Sequence, residues 1–182
     1  MTCELILGGA RSGKSRHAEQ RALDSGLPVT VIATAEAGDE EMAARIRRHQ
    51  LDRPPHFHTV EAPVRLAETL KQEAAPGRCI IVDCLTLWLS NLLMEADTLV
   101  SAHSADTLPL FSRERDALLA TLPELPGTIV LVANEVGLGL VPEHPLGRLF
   151  RDEAGRLNQA VAERCQRVVF VAAGLPLVLK GG

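Results

Sequence analysis

Tyrosine is absent from the 182-residue chain, tryptophan occurs once and phenylalanine four times, leaving 3% aromatic residues. A core built from it must therefore pack aliphatic side chains, and 46% hydrophobic residues provide enough of them. An excess of positive charge is also missing. The formal net charge is −4 at pH 7, which counts against a nucleic-acid partner, because such proteins usually carry a broad basic face. Small anionic substrates stay open, since local charge governs the field of a site. Cys3, Cys79, Cys84 and Cys165 form no C-x-x-C pair and lie far apart, three of them in or beside apolar runs. They are expected to be buried free thiols of a reducing compartment. No apolar run is long enough to cross a bilayer, and the chain enters a strand pattern at once, without a basic stretch ahead of an apolar one. Neither a membrane span nor a signal peptide is expected, which points to the cytoplasm.

No internal repeat or shift of composition divides residues 1–182, and this length suits one domain. Short runs rich in Val, Ile and Leu at 4–7, 29–33, 79–82, 128–133 and 167–172 read as buried strands, with a short edge strand at 177–180. Helical spacing covers 14–25, 39–50, 63–74, 85–96, 110–122 and 146–165. Gly26 is placed to stop the first helix. Strands alternating with helices predict an α/β fold, a mostly parallel sheet with helices on both faces. Residues 97–109, DTLVSAHSADTLP, are polar and unpatterned and read as a loop.

The clearest chemistry lies between the first strand and the first helix. Gly8, Gly9, Ala10, Arg11, Ser12, Gly13, Lys14 and Ser15 match G-x-x-x-x-G-K-S/T at every fixed position. Glycines let the backbone curl until several N–H groups converge, and that nest, with the helix N-terminus behind it, neutralises phosphate oxygens. Lys14 would reach the β- and γ-phosphates, and the Ser15 hydroxyl would serve Mg²⁺. The segment predicts a single nucleotide-binding catalytic domain of the P-loop NTPase type.

Ligands of open parallel sheets sit outside the carboxyl ends of the strands. Besides the P-loop, those ends present Ala33, Thr34 and Ala35, then Asp83, then Asn134 and Glu135. Asp83 follows Cys-Ile-Ile-Val, the setting of an acid that holds Mg²⁺; the N-cap of the helix beginning near Leu85 is the other reading, and the two are compatible. Asn134 and Glu135 fit turn residues as well as site residues. The guanine-reading Asn-Lys-x-Asp segment of switch GTPases is absent, which leaves guanine nucleotides possible as substrates.

In DEEMAARIRRHQLDR, residues 39–53, acids come first and Arg45, Arg47 and Arg48 follow, as the helix dipole favours. Met42, Ile46 and His49 share one helical face. A histidine so placed is usually a packing residue, but Arg45, Arg48 and Arg53 around it would hold a triphosphate beside the imidazole. His17, His56, His58, His103 and His144 have no supporting constellation.

Taken together, GGARSGKSRHAE (8–19), IATAEAGDEEMAARIRRHQLDRP (32–54), VDCLTLWLSNLL (82–93) and NEVGLGLVPEHPLGRLFRDEAGRLNQ (134–159) resemble the adenosylcobinamide kinase/adenosylcobinamide-phosphate guanylyltransferase family. The R-I-x-x-H-x-x-x-R-P and N-E-V-G-x-G-x-V-P segments carry most of that likeness, which excludes only 97–127. It implies a RecA-like P-loop fold assembled as a homotrimer, acting in cobalamin biosynthesis. The implied enzyme phosphorylates the side-chain hydroxyl of adenosylcobinamide with ATP or GTP. It then transfers GMP from GTP to that phosphate, through a covalent intermediate on His49. Guanine-nucleotide contacts are implied at Ala33, Thr34, Ala35, Gln50, Leu51, Asp52, Arg53, Glu61 and Asp83, and Mg²⁺ contacts at Ser15 and Asp83. The loops 97–109 and 136–147 are the candidates for docking the corrinoid. Two other readings of the motifs are a single-activity P-loop kinase for a small alcohol, with His49 only packing, and a non-catalytic nucleotide-binding module.

Overall fold

The computed structural model describes residues 2–37, 40, 41, 43, 44, 47, 48, 53–94 and 108–182. Among these, seven strands form one sheet in the order β3-β2-β4-β5-β1-β6-β7. They are β1 (Thr2–Gly8), β2 (Val29–Ala33), β3 (His58–Glu61), β4 (Cys79–Asp83), β5 (Thr128–Asn134), β6 (Arg167–Ala172) and β7 (Leu175–Lys180). All neighbouring pairs are parallel except β6 with β7. The helices are α1 (Lys14–Asp24), α2 (Leu66–Glu73), α3 (Leu85–Met94), α4 (Pro109–Thr121) and α5 (Pro145–Arg164). Of the expected helix 39–50, residues 40, 41, 43, 44, 47 and 48 are helical, and the others lie outside the described residues. The loop expected at 97–109 falls outside them up to residue 107, and Pro109 already opens α4.

Central strands of a parallel sheet are covered on both faces and need apolar residues at consecutive positions. All five residues of β2 are buried, as are the first four of β4. Helices cover the two faces unequally. Ala18 and Ala22 of α1 pack with Ile6, Val31, Ile81, Val130, Val132 and Val169. On the opposite face, residues of α2, α3, α4 and α5 join Leu5, Ile32, Ile80, Val82, Ile129 and Leu131 in the larger cluster. The single Trp88 is fully buried there, and its indole N–H donates to the Val64 carbonyl at 2.7 Å. Glu4 is the buried charge of β1; Arg21 of α1 and Arg167 of β6 take its two carboxylate oxygens at 3.0 and 3.2 Å. The pair of arginines compensates the cost of desolvating that carboxylate.

Two elements depart from expectation. The helix predicted over 63–74 begins at Leu66, because the carbonyls of Pro63 and Val64 are taken by the Asn91 and Trp88 side chains of α3. The strand β3 was not foreseen. Its four residues, His-Thr-Val-Glu, lack an apolar face, and it pairs with β2 alone at the sheet edge. Gly26 ends α1 as expected, with φ +65. All four cysteines are buried and free; burial pushes the Cys79 thiol up to about 11, so it stays protonated near neutrality. No described helix is long and apolar enough to cross a membrane.

Candidate active site

Six parallel strands deliver their carboxyl ends to one edge of the sheet. Side chains alternate between faces along a strand. Gly8, Ala33, Asp83 and Asn134 continue the rows of Ile6, Val31, Ile81 and Val132, so all four belong to the face that carries α1. A cavity of about 440 Å³ opens there, lined by Ala10 to Arg16, Asp83, Cys84, Leu87 and Asn134.

The P-loop wraps this cavity in a backbone shape that only certain residues can adopt. A Cβ on Gly8 would lie 2.4 Å from Ser12 Oγ and 2.6 Å from the Val171 carbonyl oxygen. Gly13 has φ +95, and a Cβ there would approach Gly174 Cα to 3.1 Å. Gly9, by contrast, has open space around it. The hairpin joining β6 to β7 buttresses the loop, for the Gly174 N–H donates to the Ser12 carbonyl at 2.8 Å. Both residues of its tight turn, Ala173 and Gly174, have positive φ, the backbone of a type I′ turn. Gly8→Ala is therefore expected to abolish nucleotide binding, whereas Gly9→Ala changes the affinity less than about threefold, the scale of a surface substitution. Equilibrium titration with a fluorescent nucleotide checks this; equal losses in both variants would refute the steric argument.

Lys14 Nζ donates to the Gly9 carbonyl at 3.1 Å, so the ammonium already lies over the loop. Asp83 faces Arg53, whose Nη2 lies 3.2 Å from Asp83 Oδ2. The Arg53 side chain is 9% exposed, and its Nη1 is buried without a partner. Ser15, Glu19, Arg53 and Asp83 line one small cavity of about 10 Å³. A serine hydroxyl beside a carboxylate is an oxygen donor set suited to Mg²⁺, which usually takes one or two protein ligands and keeps several waters. The residues fit that ion, with Arg53 as the cation facing Asp83 in this structure.

The alternative of Asp83 as helix N-cap is resolved by its neighbour. Cys84 immediately precedes α3 and its carbonyl accepts the Trp88 N–H at 3.2 Å, so Cys84 and not Asp83 stands at the cap position. Burial, and then the Asp83 carboxylate, raise the Cys84 thiol above its ordinary value, so it lines the cavity as a protonated group and a poor nucleophile. The Asp83–Cys84 peptide is cis.

Other expected contacts separate into two groups. Ala33 pairs with Asp83 on one side and with Glu61 on the other, so β3 brings an exposed Glu61 to the same sheet edge. Ala35 is half-buried just beyond it. Thr34 is fully buried; its hydroxyl donates to the Cys84 carbonyl at 2.7 Å and accepts from the Cys84 N–H at 2.9 Å. That hydroxyl holds the corner beneath Asp83 and is not presented to a ligand. His49, Gln50, Leu51 and Asp52 lie outside the described residues. His17 is half-buried, its Nε2 buried without a partner. Glu135 behaves as a turn residue, accepting the Gly137 N–H at 2.6 Å on its own Oε1. Asn134 instead lines the cavity. Leu138, Leu140 and Val141 of the 136–147 loop are exposed.

The family model described as cobinamide kinase / cobinamide phosphate guanyltransferase matches residues 4–179. The chain belongs to this family. It is 57% identical over 178 residues to the bifunctional adenosylcobalamin biosynthesis protein CobP of Pseudomonas aeruginosa, covering 98% of this chain and 97% of that one. Its identity to the bifunctional adenosylcobalamin biosynthesis protein CobU is 40% over 179 residues for Escherichia coli and 41% over 180 for Salmonella typhimurium, each alignment covering 97% of this chain and 98% of the relative. Among solved structures, a prototypical ATPase of the type III secretion system of pathogenic bacteria superposes with a TM-score of 0.52 at 11% identity, covering 97% of this chain and 56% of that one. That likeness concerns the fold alone and agrees with a P-loop NTPase architecture for this member of the cobinamide kinase family.

Proposed function

We propose that the protein phosphorylates the side-chain hydroxyl of adenosylcobinamide with ATP or GTP and then transfers GMP from GTP to the new phosphate, giving adenosylcobinamide-GDP. The observation carrying this reading is the family match over residues 4–179 in a chain whose P-loop, Lys14, Ser15 and Asp83 surround one cavity.

In the kinase step the P-loop amides and Lys14 bind the β- and γ-phosphates and stabilise charge as the γ-phosphoryl group moves. Ser15 and Asp83 would hold Mg²⁺, with Arg53 yielding its place beside Asp83. The bound ion would neutralise phosphate charge and help align the triphosphate. For GMP transfer we assign the nucleophile to His49. A neutral imidazole nitrogen attacks the α-phosphorus of GTP, a P–N bond forms, and the bond to pyrophosphate breaks with its electron pair leaving on pyrophosphate. An oxygen of adenosylcobinamide phosphate then attacks the same phosphorus and releases the imidazole. Two displacements replace one difficult transfer. Ala33, Ala35, Gln50, Leu51, Asp52, Arg53 and Glu61 are the proposed guanine-nucleotide contacts. We further propose a homotrimer in the cytoplasm, where GTP and ATP are available.

The test is incubation with α-labelled GTP and Mg²⁺ without corrinoid, followed by denaturation. The reading expects retained label that is acid-labile, alkali-stable and absent in His49→Ala. Folded, GTP-binding protein without label would leave a single-activity kinase.

A further inference from the structure

We propose that Asn134 is the residue that holds the attacking hydroxyl in the phosphoryl-transfer step, an assignment that rests on the kinase reading above. Its position follows from strand order. The strand β5 lies between β1 and β4, so Asn134, paired with Gly8 at the end of β1, stands between the P-loop and Asp83. The backbone there is anchored from several sides. Its N–H donates to Thr86 Oγ1 at 2.6 Å, its carbonyl accepts Asn158 Nδ2 at 3.4 Å, and the following N–H donates to the Gly8 carbonyl at 3.0 Å. Thr86 and Asn158 are themselves buried polar residues whose bonds converge on this position. The side chain lines the 440 Å³ cavity, and its Oδ1 is buried with no hydrogen-bond partner.

Buried polar atoms are nearly always paired, so an orphan at the wall of a ligand cavity points to a group that the ligand supplies. The chemistry of the site narrows that group. Phosphate oxygens are acceptors and suit the loop amides and Lys14; they offer nothing to a carboxamide oxygen. An alcohol O–H does. With Oδ1 accepting from the substrate hydroxyl, the side chain aims the hydroxyl oxygen at the γ-phosphoryl group. A carboxamide is not a base, so Asn134 orients and does not remove the proton. The hydroxyl oxygen forms a bond to the γ-phosphorus, the bond to the β-phosphate oxygen breaks with its electrons leaving on the nucleoside diphosphate, and the proton passes to the transferred phosphoryl group. Such loosely bonded phosphoryl transfer depends mainly on positioning and charge stabilisation.

Asn134→Leu, close in volume but without polar atoms, and Asn134→Ser, which restores a hydroxyl that both donates and accepts, separate this role from packing. The wild type and both variants are assayed with Mg²⁺ for cobinamide phosphorylation, for nucleotide affinity, for His49 labelling by α-labelled GTP, and for thermal unfolding. Asn134→Leu is expected to lower kcat for phosphorylation about 100-fold, the scale of losing one positioned hydrogen-bonding group, with nucleotide affinity and His49 labelling within about threefold, the scale of a surface substitution. Asn134→Ser should regain about tenfold of that loss, the scale of one modest hydrogen bond. A parallel fall in affinity, labelling and kcat, or a kcat for Asn134→Leu equal to wild type, would overturn the assignment. A wild-type protein that labels His49 but phosphorylates no cobinamide would instead overturn the kinase reading, and this role with it.

Discussion

His49→Ala is expected to lower GMP transfer by a factor on the order of 10⁶, as loss of an enzyme nucleophile does, while phosphorylation of cobinamide continues at the wild-type rate. The asymmetry follows from the two chemistries. In the proposed mechanism guanylyl transfer passes through a bond to the His49 imidazole nitrogen, and an alanine methyl cannot form it. Phosphoryl transfer to an alcohol needs no covalent residue, only alignment and charge stabilisation. Supplying adenosylcobinamide phosphate directly isolates the second step, and supplying adenosylcobinamide with ATP isolates the first. If both rates vanish in a variant that keeps the thermal unfolding of the wild type, the division of labour between His49 and the P-loop is wrong.

Lys14→Ala is expected to cost about 2.7–4 kcal/mol of transition-state stabilisation, a fall of about 10²–10³ in kcat for phosphorylation. The ammonium is already gathered over the P-loop by the Gly9 carbonyl, so it meets the triphosphate with little further rearrangement. Nucleotide should also raise the unfolding temperature of the variant less than that of the wild type, since stabilisation by a ligand tracks its affinity. Lys14→Arg is a poor rescue, because a planar fork does not replace a compact point charge in a close-fitting loop. A kcat within threefold of wild type would remove the P-loop from the kinase step.

Much of this was legible in contiguous residues. The eight-residue P-loop carries its own instructions: Gly8 and Gly13 stand where a Cβ collides or φ is positive, and Lys14 and Ser15 follow from α1 starting at that point. Strands 29–33 and 167–172 have the bounds their apolar runs suggested. The strand β3 was hidden because an edge strand, bonded on one side only, needs no apolar face to exist. Asp83 was ambiguous because a strand-ending acid before a helix has the same local pattern whether it caps or holds a metal. Cys84 took the cap and left Asp83 to Arg53.

By itself, then, the sequence determined the α/β class, the phosphate-binding loop and the family, because each is written in short runs or in near full-length likeness. Only the tertiary structure decided which polar residues share the cavity. Asn134 and Glu135 are neighbours in the chain with the same turn-like character, yet one lines the site and the other closes a turn on Gly137. Alternation of side chains along β5 accounts for part of this. The rest depends on β5 lying between β1 and β4, a pairing between distant segments that no local pattern specifies.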